Sequence, residues 1–262
     1  VKGKEIMNLE KAQPLALVLF ARQFATLINI GVPIRHCLTI LSKEAKPPYE
    51  EAMREISQAV EEGQPSDIPS AIDPNRLMQA FSEYSELFPP VYLILMRAGL
   101  IGKMLDETLM HGAELLEESW KFARLSGSTS VLNSILAPEQ VDQTRTWDDM
   151  TEENRTFILM IFCRTFGLLL SSGVPILQSM ELTAEILPPV QRDAWLDARQ
   201  KVRDGARASV AEFLPYFVLM LVRSGEETGT LNVMMLQAAD YYHHALEAEC
   251  WGRLQMASGD HH

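Results

Sequence analysis

Apolar residues recur along most of this chain at three- and four-residue intervals, the period of helices that bury one face. Leu17, Phe20, Phe24, Leu27 and Ile28 make one such stripe and predict a helix over about 15–30. After Gly31-Val32-Pro33, a second helix carries Ile34, Leu38 and Leu41 and stops before Pro47-Pro48. A third fits 49–62, with Ala52, Ile56, Ala59 and Val60 inward and Gly63 as its stop. Prolines and polar residues make 64–74 a loop, and residues 1–13 read as a loose leader. A short helix then passes through Leu77, Ala80, Phe81 and Tyr84 to Pro89-Pro90. An apolar helix over 91–98, a turn at Gly99–Gly102 and a long helix over 104–124 complete the first half.

The same phrase then recurs. Phe20 to Ile34 reads FARQFATLINIGVPI, and Phe162 to Ile176 reads FCRTFGLLLSSGVPI. The pairs Phe20/Phe162, Arg22/Arg164, Phe24/Phe166, Gly31/Gly173, Val32/Val174, Pro33/Pro175 and Ile34/Ile176 share one offset, the mark of an internal repeat. In each copy a helix runs to a glycine that can close it in the left-handed conformation. Two residues on, proline presets φ for the start of the next helix. A connection so short makes the two helices neighbours.

The second half repeats the remaining grammar. Helices fit 152–171, 175–186, 189–204, a short piece near 208–213, then 216–223 and 230–254. Pro188-Pro189 echoes Pro47-Pro48, Gly205 echoes Gly63, and Pro215 echoes Pro89. The span from Gly205 to Pro215 is shorter than that from Gly63 to Pro89, so the copies differ in one loop region. No alternating strand pattern occurs. The class is all-α: two tandem, similar six-helix bundles over 15–124 and 152–254, joined by a polar linker over 125–151.

Composition narrows the function. A net charge of −12 argues against nucleic acid, whose phosphates need a basic face. With 47% apolar residues among 262, there is enough apolar material for two packed cores. Cys37, Cys163 and Cys250 show neither disulfide nor zinc spacing and fit a reducing compartment, with Cys37 and Cys163 as small buried hydrophobes. The first residues do not read as a signal peptide. The most apolar window, Phe157–Leu170, contains Arg164 and falls short of the roughly 20 residues a membrane span needs, so no membrane span is expected. No catalytic elbow, phosphate loop, dinucleotide fingerprint or metalloprotease motif is present, and neither an enzyme nor a cofactor is expected.

One further phrase, Arg223-Ser224-Gly225-Glu226-Glu227-Thr228-Gly229-Thr230-Leu231, stands near the end. With Phe-x-Arg-x-Phe and Gly-Val-Pro-Ile upstream, the chain resembles the type II secretion system protein F family, the platform proteins of type II secretion and type IV pilus assembly. That resemblance implies six-helix cytoplasmic domains in two copies per chain, placed beside an assembly ATPase. It covers roughly 15–124 and 152–250. Two departures stand out. The first copy has Gly99-Leu100-Ile101-Gly102-Lys103-Met104-Leu105, without the Glu and with Lys103 in place of the second Gly. Family members carry a membrane segment after each domain, whereas Ser126–Asp149 is too polar to span. The resemblance therefore implies a soluble relative, or one parted from its membrane segments, that is cytoplasmic or peripheral to the inner membrane.

The acidic turn admits two readings. Gly225 could end a helix, Thr228 cap the next, and the Glu pair favour the helix N-terminus. Alternatively Glu226, Glu227 and Thr228 form an exposed docking surface for a basic partner. Gly31, Pro33, Gly173, Pro175, Gly225 and Gly229 are the structural corners. Arg22 and Arg164 either lay their stems on the core or pair with a carboxylate such as Glu107 or Glu226. His243 and Glu247 lie at i, i+4 with Asp240 a turn back, though an exposed helix face is the better reading than a metal site. The Met-rich phrases Val218–Val222 and Val233–Leu236 read as core first and as a helix–helix contact between the two units second. The function expected is a non-enzymatic scaffold working through protein contacts: another copy, a secretion or pilus assembly ATPase, or platform components. The alternative is a helical adaptor holding a peptide or apolar ligand between the two units.

Overall fold

The computed structural model describes residues 14–61, 73–126, 147–211 and 213–259. The expected leader, most of the loop over 64–74, the linker residues 127–146 and the terminal His pair lie outside them. All regular elements among the described residues are helical. The chain divides into two compact units between Trp120 and Lys121.

The first unit contains α1 (Pro14–Asn29), α2 (Ile34–Glu44), α3 (Tyr49–Glu61), α4 (Pro74–Ser82), α5 (Pro90–Gly102) and α6 (Leu105–Ser126), the last continuing past the division. A single 3₁₀ turn, Trp147–Asp149, precedes the helices of the second unit. These are α7 (Glu152–Ser171), α8 (Ile176–Ala184), α9 (Pro189–Arg203), α10 (Tyr216–Thr228) and α11 (Leu231–Gly259). Where the first unit has α4, the second has one 3₁₀ turn, Ala208–Val210, consistent with its shorter loop.

The repeated corner is built identically in both copies. Gly31 (φ 84°) and Gly173 (φ 76°) take the left-handed conformation that a side chain would strain. The N–H of Gly31 donates to Ile28 O at 2.9 Å and that of Val32 to Leu27 O at 3.0 Å. Gly173 donates to Leu170 O at 3.1 Å and Val174 to Leu169 O at 3.0 Å, the same helix-closing pair. Pro33 and Pro175 stand immediately before α2 and α8 with φ near the helical value. One turn into the new helix, Cys37 Sγ and Ser179 Oγ each donate to the carbonyl of the corner valine, Val32 (3.3 Å) and Val174 (3.2 Å).

The cores are filled differently. In the first unit Phe20, Phe24, Tyr49, Phe81, Phe88 and Tyr92 form a run of touching rings, with Phe20 stacked on Tyr49 at 5.2 Å and Phe81 edge-on to Phe88 at 5.0 Å. In the second, Trp195 meets Phe162 (5.0 Å), Phe166 (5.4 Å) and Phe213 (6.0 Å) edge-on. Its indole N–H donates to Thr183 Oγ1 at 3.1 Å, so this large ring is buried with its polar atom satisfied.

One expectation about the apolar window is corrected. The helix containing it extends from Glu152 to Ser171, twenty residues, because Thr151 caps it by accepting from Asn154 N and adds a polar turn at its start. Among the described residues it is the one helix long and apolar enough to cross a membrane, yet 72% of that stretch is buried inside the protein. Gly167 lets it press on α11: a Cβ there would lie 2.9 Å from Leu236 Cγ and 3.1 Å from Asn232 O. Its apolarity serves the core.

Candidate functional site

The acidic phrase lies in the α10–α11 hairpin. Its sequence suggests a helix end at Gly225; instead α10 runs through that residue to Thr228, and Gly229 (φ 72°) is the left-handed cap. The N–H groups of Gly229 and Thr230 both donate to Gly225 O, the second at 2.9 Å. Gly225 is needed for space rather than for conformation. A Cβ there would lie 2.6 Å from Leu231 Cα, so the next helix crosses directly over this residue.

The first unit makes the same hairpin without the same residues. The turn expected at Gly99–Gly102 is helical, and Lys103 (φ 58°) takes the left-handed position, its N–H donating to Gly99 O. Met104 N also donates to Gly99 O at 2.9 Å, and a Cβ on Gly99 would lie 2.7 Å from Leu105 Cα. Gly99 and Leu105 therefore do what Gly225 and Leu231 do, while Lys103 bears a strain that Gly229 does not.

The carboxylates distinguish the two turns. Glu226, half-buried, accepts from the backbone N–H of Ala208 through Oε1 and so ties the 3₁₀ turn to α10. Its Oε2 is buried and has no hydrogen-bond partner among the described residues. Glu227 points outward and pairs with Arg207 at 3.4 Å, both side chains well exposed. Thr228 does not cap α11. Its hydroxyl donates to Ser224 O at 2.8 Å within its own helix and lies 2.6 Å from Thr230 Oγ1.

Arg22 and Arg164 pair, but with neither Glu107 nor Glu226. Arg22 meets Glu117 at 2.6 Å and Glu114 at 3.9 Å, and Arg164 meets Asp240 at 3.2 Å. Glu114 and Asp240 occupy matching places in α6 and α11, counted from Leu105 and Leu231, so the repeat preserves an ion pair across its first and last helices. Helical spacing could not find it, since Arg22 and Glu117 stand 95 residues apart in chain order.

His243 Nε2 and His244 Nδ1 both lie 3.4 Å from the Glu247 carboxylate on one helix surface. Among the described residues no three His, Cys, Asp or Glu side chains gather as a metal site. Burial pushes the Cys37 thiol up to about 11 and raises that of Cys163 as well, so neither ionises readily near neutral pH. Of the Met-rich phrases, Val218, Val222 and Met235 are buried while Met220 and Val233 are exposed. Sequence reasoning missed Phe217 and Tyr241, exposed aromatic residues whose rings meet at 4.6 Å across α10 and α11. Their positions in the helical period were the available signal, masked by the apolar character of both helices.

Comparison with known proteins settles the kinship. A family profile described as "Type II secretion system (T2SS), protein F" matches residues 20–130 and 162–253. The chain belongs to the type II secretion system protein F family. Among curated relatives it is 24% identical to the type IV pilus assembly protein PilC of Myxococcus xanthus, over 95% of this chain and 73% of that protein. It is 21% identical to the type II secretion system protein F of Vibrio cholerae, over 88% of this chain and 73% of that protein. The protein F of Aeromonas hydrophila is 33% identical over a shorter stretch, 30% of this chain and 22% of the relative. Both tandem copies lie within the protein F match, as the two-bundle repeat requires.

Proposed function

We propose that this chain is a non-enzymatic scaffold of a type II secretion or type IV pilus machine, placed on the cytoplasmic side and acting through protein contacts. Kinship with protein F and PilC supports the setting. The observation that carries the contact surface is Glu227, an outward carboxylate in a hairpin that the first unit builds with Ile101 in the same place. The expected docking trio divides into two roles. Glu226 holds the 3₁₀ turn against α10, whereas Glu227 with the neighbouring Thr228 faces outward. A partner surface rich in Lys or Arg complements it, and such rim charges set encounter rate and partner choice more than affinity. The assembly ATPase encoded in the same genome is the partner this reading names.

The test is binding of the full chain to that purified ATPase by biolayer interferometry at low and high salt. The expected result is a complex that weakens as salt rises, since exposed charge pairs are screened. Failure to form a complex at low salt overturns the reading.

A further inference from the structure

The outward carboxylate of the second hairpin is already engaged within the chain. Arg207 Nη1 lies 3.4 Å from Glu227 Oε1, with both side chains well exposed. This is a single long contact, whereas a guanidinium can offer a carboxylate two parallel donors at about 2.7–2.9 Å. What brings Arg207 there is the residue after it. The backbone N–H of Ala208 donates to Glu226 Oε1, and Ala208 and Ala211 are both buried. Ala211 N closes the 3₁₀ turn on Ala208 O at 3.2 Å. Arg207 stands immediately before that turn in extended conformation (φ −84°, ψ 153°). Its backbone is thus held beside α10 while its side chain reaches along the surface. The two adjacent carboxylates divide the work: Glu226 fixes the neighbouring backbone, and Glu227 receives the side chain. The first unit has Leu100 and Ile101 at these positions, which can do neither.

We infer that Arg207 is a built-in competitor, an autoinhibitory cation that occupies Glu227 in the free chain and is displaced when a basic partner docks. The inference rests on the reading of Glu227 as a docking carboxylate and adds the regulation of that site. A tethered cation acts at high effective concentration, so it competes even though it sits in water. A site free for only part of the time binds its partner with an affinity lowered by that fraction. The internal pair is exposed and long, hence weak, so it tunes docking rather than blocking it. A partner arginine that grips both carboxylate oxygens outcompetes the single contact of Arg207. A stray cation that can make only one contact gains little from the exchange. Arg207 therefore filters partners by the geometry of their cation as well as by its charge.

Binding of the full chain to the purified assembly ATPase at low salt, measured as a double-mutant cycle, tests it. Arg207→Ala removes the competitor, and Arg203→Ala removes the same charge from another exposed position four residues away. Arg207→Ala is expected to tighten the complex about two- to fivefold beyond any gain from Arg203→Ala. In a Glu227→Gln background that excess is expected to vanish, because no carboxylate is left to compete for. Unchanged thermal melting confirms each variant's fold, with Arg207→Gln as the milder replacement. No excess over Arg203→Ala, or an excess that survives Glu227→Gln, would overturn the competition and leave the docking reading standing. A wild type that forms no complex at all would remove the docking reading and this inference with it.

Discussion

The two units solve one mechanical problem with different residues. Each must fold a long closing helix back over the apolar one before it, and each uses a glycine beneath the crossing leucine: Gly99 under Leu105 and Gly225 under Leu231. The repeated corner and the ion pair of its first helix are kept too, but the core and the turn have drifted. The first unit fills its core with a run of rings, holds its turn with Lys103 in a strained conformation, and carries no carboxylate there. The second relies on Trp195, relaxes its turn with Gly229, and uses Glu226 to fasten a neighbouring segment. Packing space beneath a helix crossing admits no substitute, whereas core volume and turn conformation can be met in several ways.

Breaking each core should show the largest difference. Trp195→Ala is expected to cost about 3–5 kcal/mol, because three rings lose their common neighbour and Thr183 loses its donor. Phe81→Ala in the first unit should cost less than this, since the remaining rings can close on the gap. Denaturant unfolding followed by circular dichroism measures both.

The lock predicts equal effects in the two halves. Gly99→Ala and Gly225→Ala should each destabilise by about 1–3 kcal/mol, because the new methyl meets the backbone of a crossing helix rather than a movable side chain. A large loss at one site and none at the other would separate the two hairpins.

Glu226 offers a one-sided test. Glu226→Ala leaves the Ala208 N–H without its acceptor and should cost about 1–3 kcal/mol, whereas Glu226→Gln keeps an acceptor oxygen and should recover most of it. The cap residues should respond with opposite signs. Gly229→Ala loses about 1 kcal/mol, while Lys103→Gly gains a fraction of that once the added chain entropy is subtracted. Melting temperatures of the four variants would check both statements.

Much of this is legible in the sequence, for identifiable reasons. The Gly-Val-Pro-Ile corner can be read residue by residue because helix closure and restart are local, and both copies form the same hydrogen bonds. Helical class and tandem arrangement follow from apolar period and repetition. The roles of Gly225 and Thr228 escape such a reading for one reason. A glycine late in an apolar helix reads as a stop, whereas its use here is to admit Leu231, six residues on in sequence but lying over it in space. Partners of Arg22 and Arg164 are out of reach because they sit on the last helix of each unit. The exposed Phe217–Tyr241 pair is hidden since helical period marks a buried face but cannot say which second apolar face stays open.

The most direct measurement sets matched positions of the two hairpins against each other. Glu227→Lys and Ile101→Lys place the same side chain at equivalent, exposed sites of the second and first units. Binding of each full-length variant to the assembly ATPase is then compared with that of the wild type. The account predicts that Glu227→Lys weakens the complex by about tenfold, roughly 1.4 kcal/mol, and that Ile101→Lys leaves it within error. Equal weakening by both, or by neither, would contradict the assignment of the docking surface to the second unit alone.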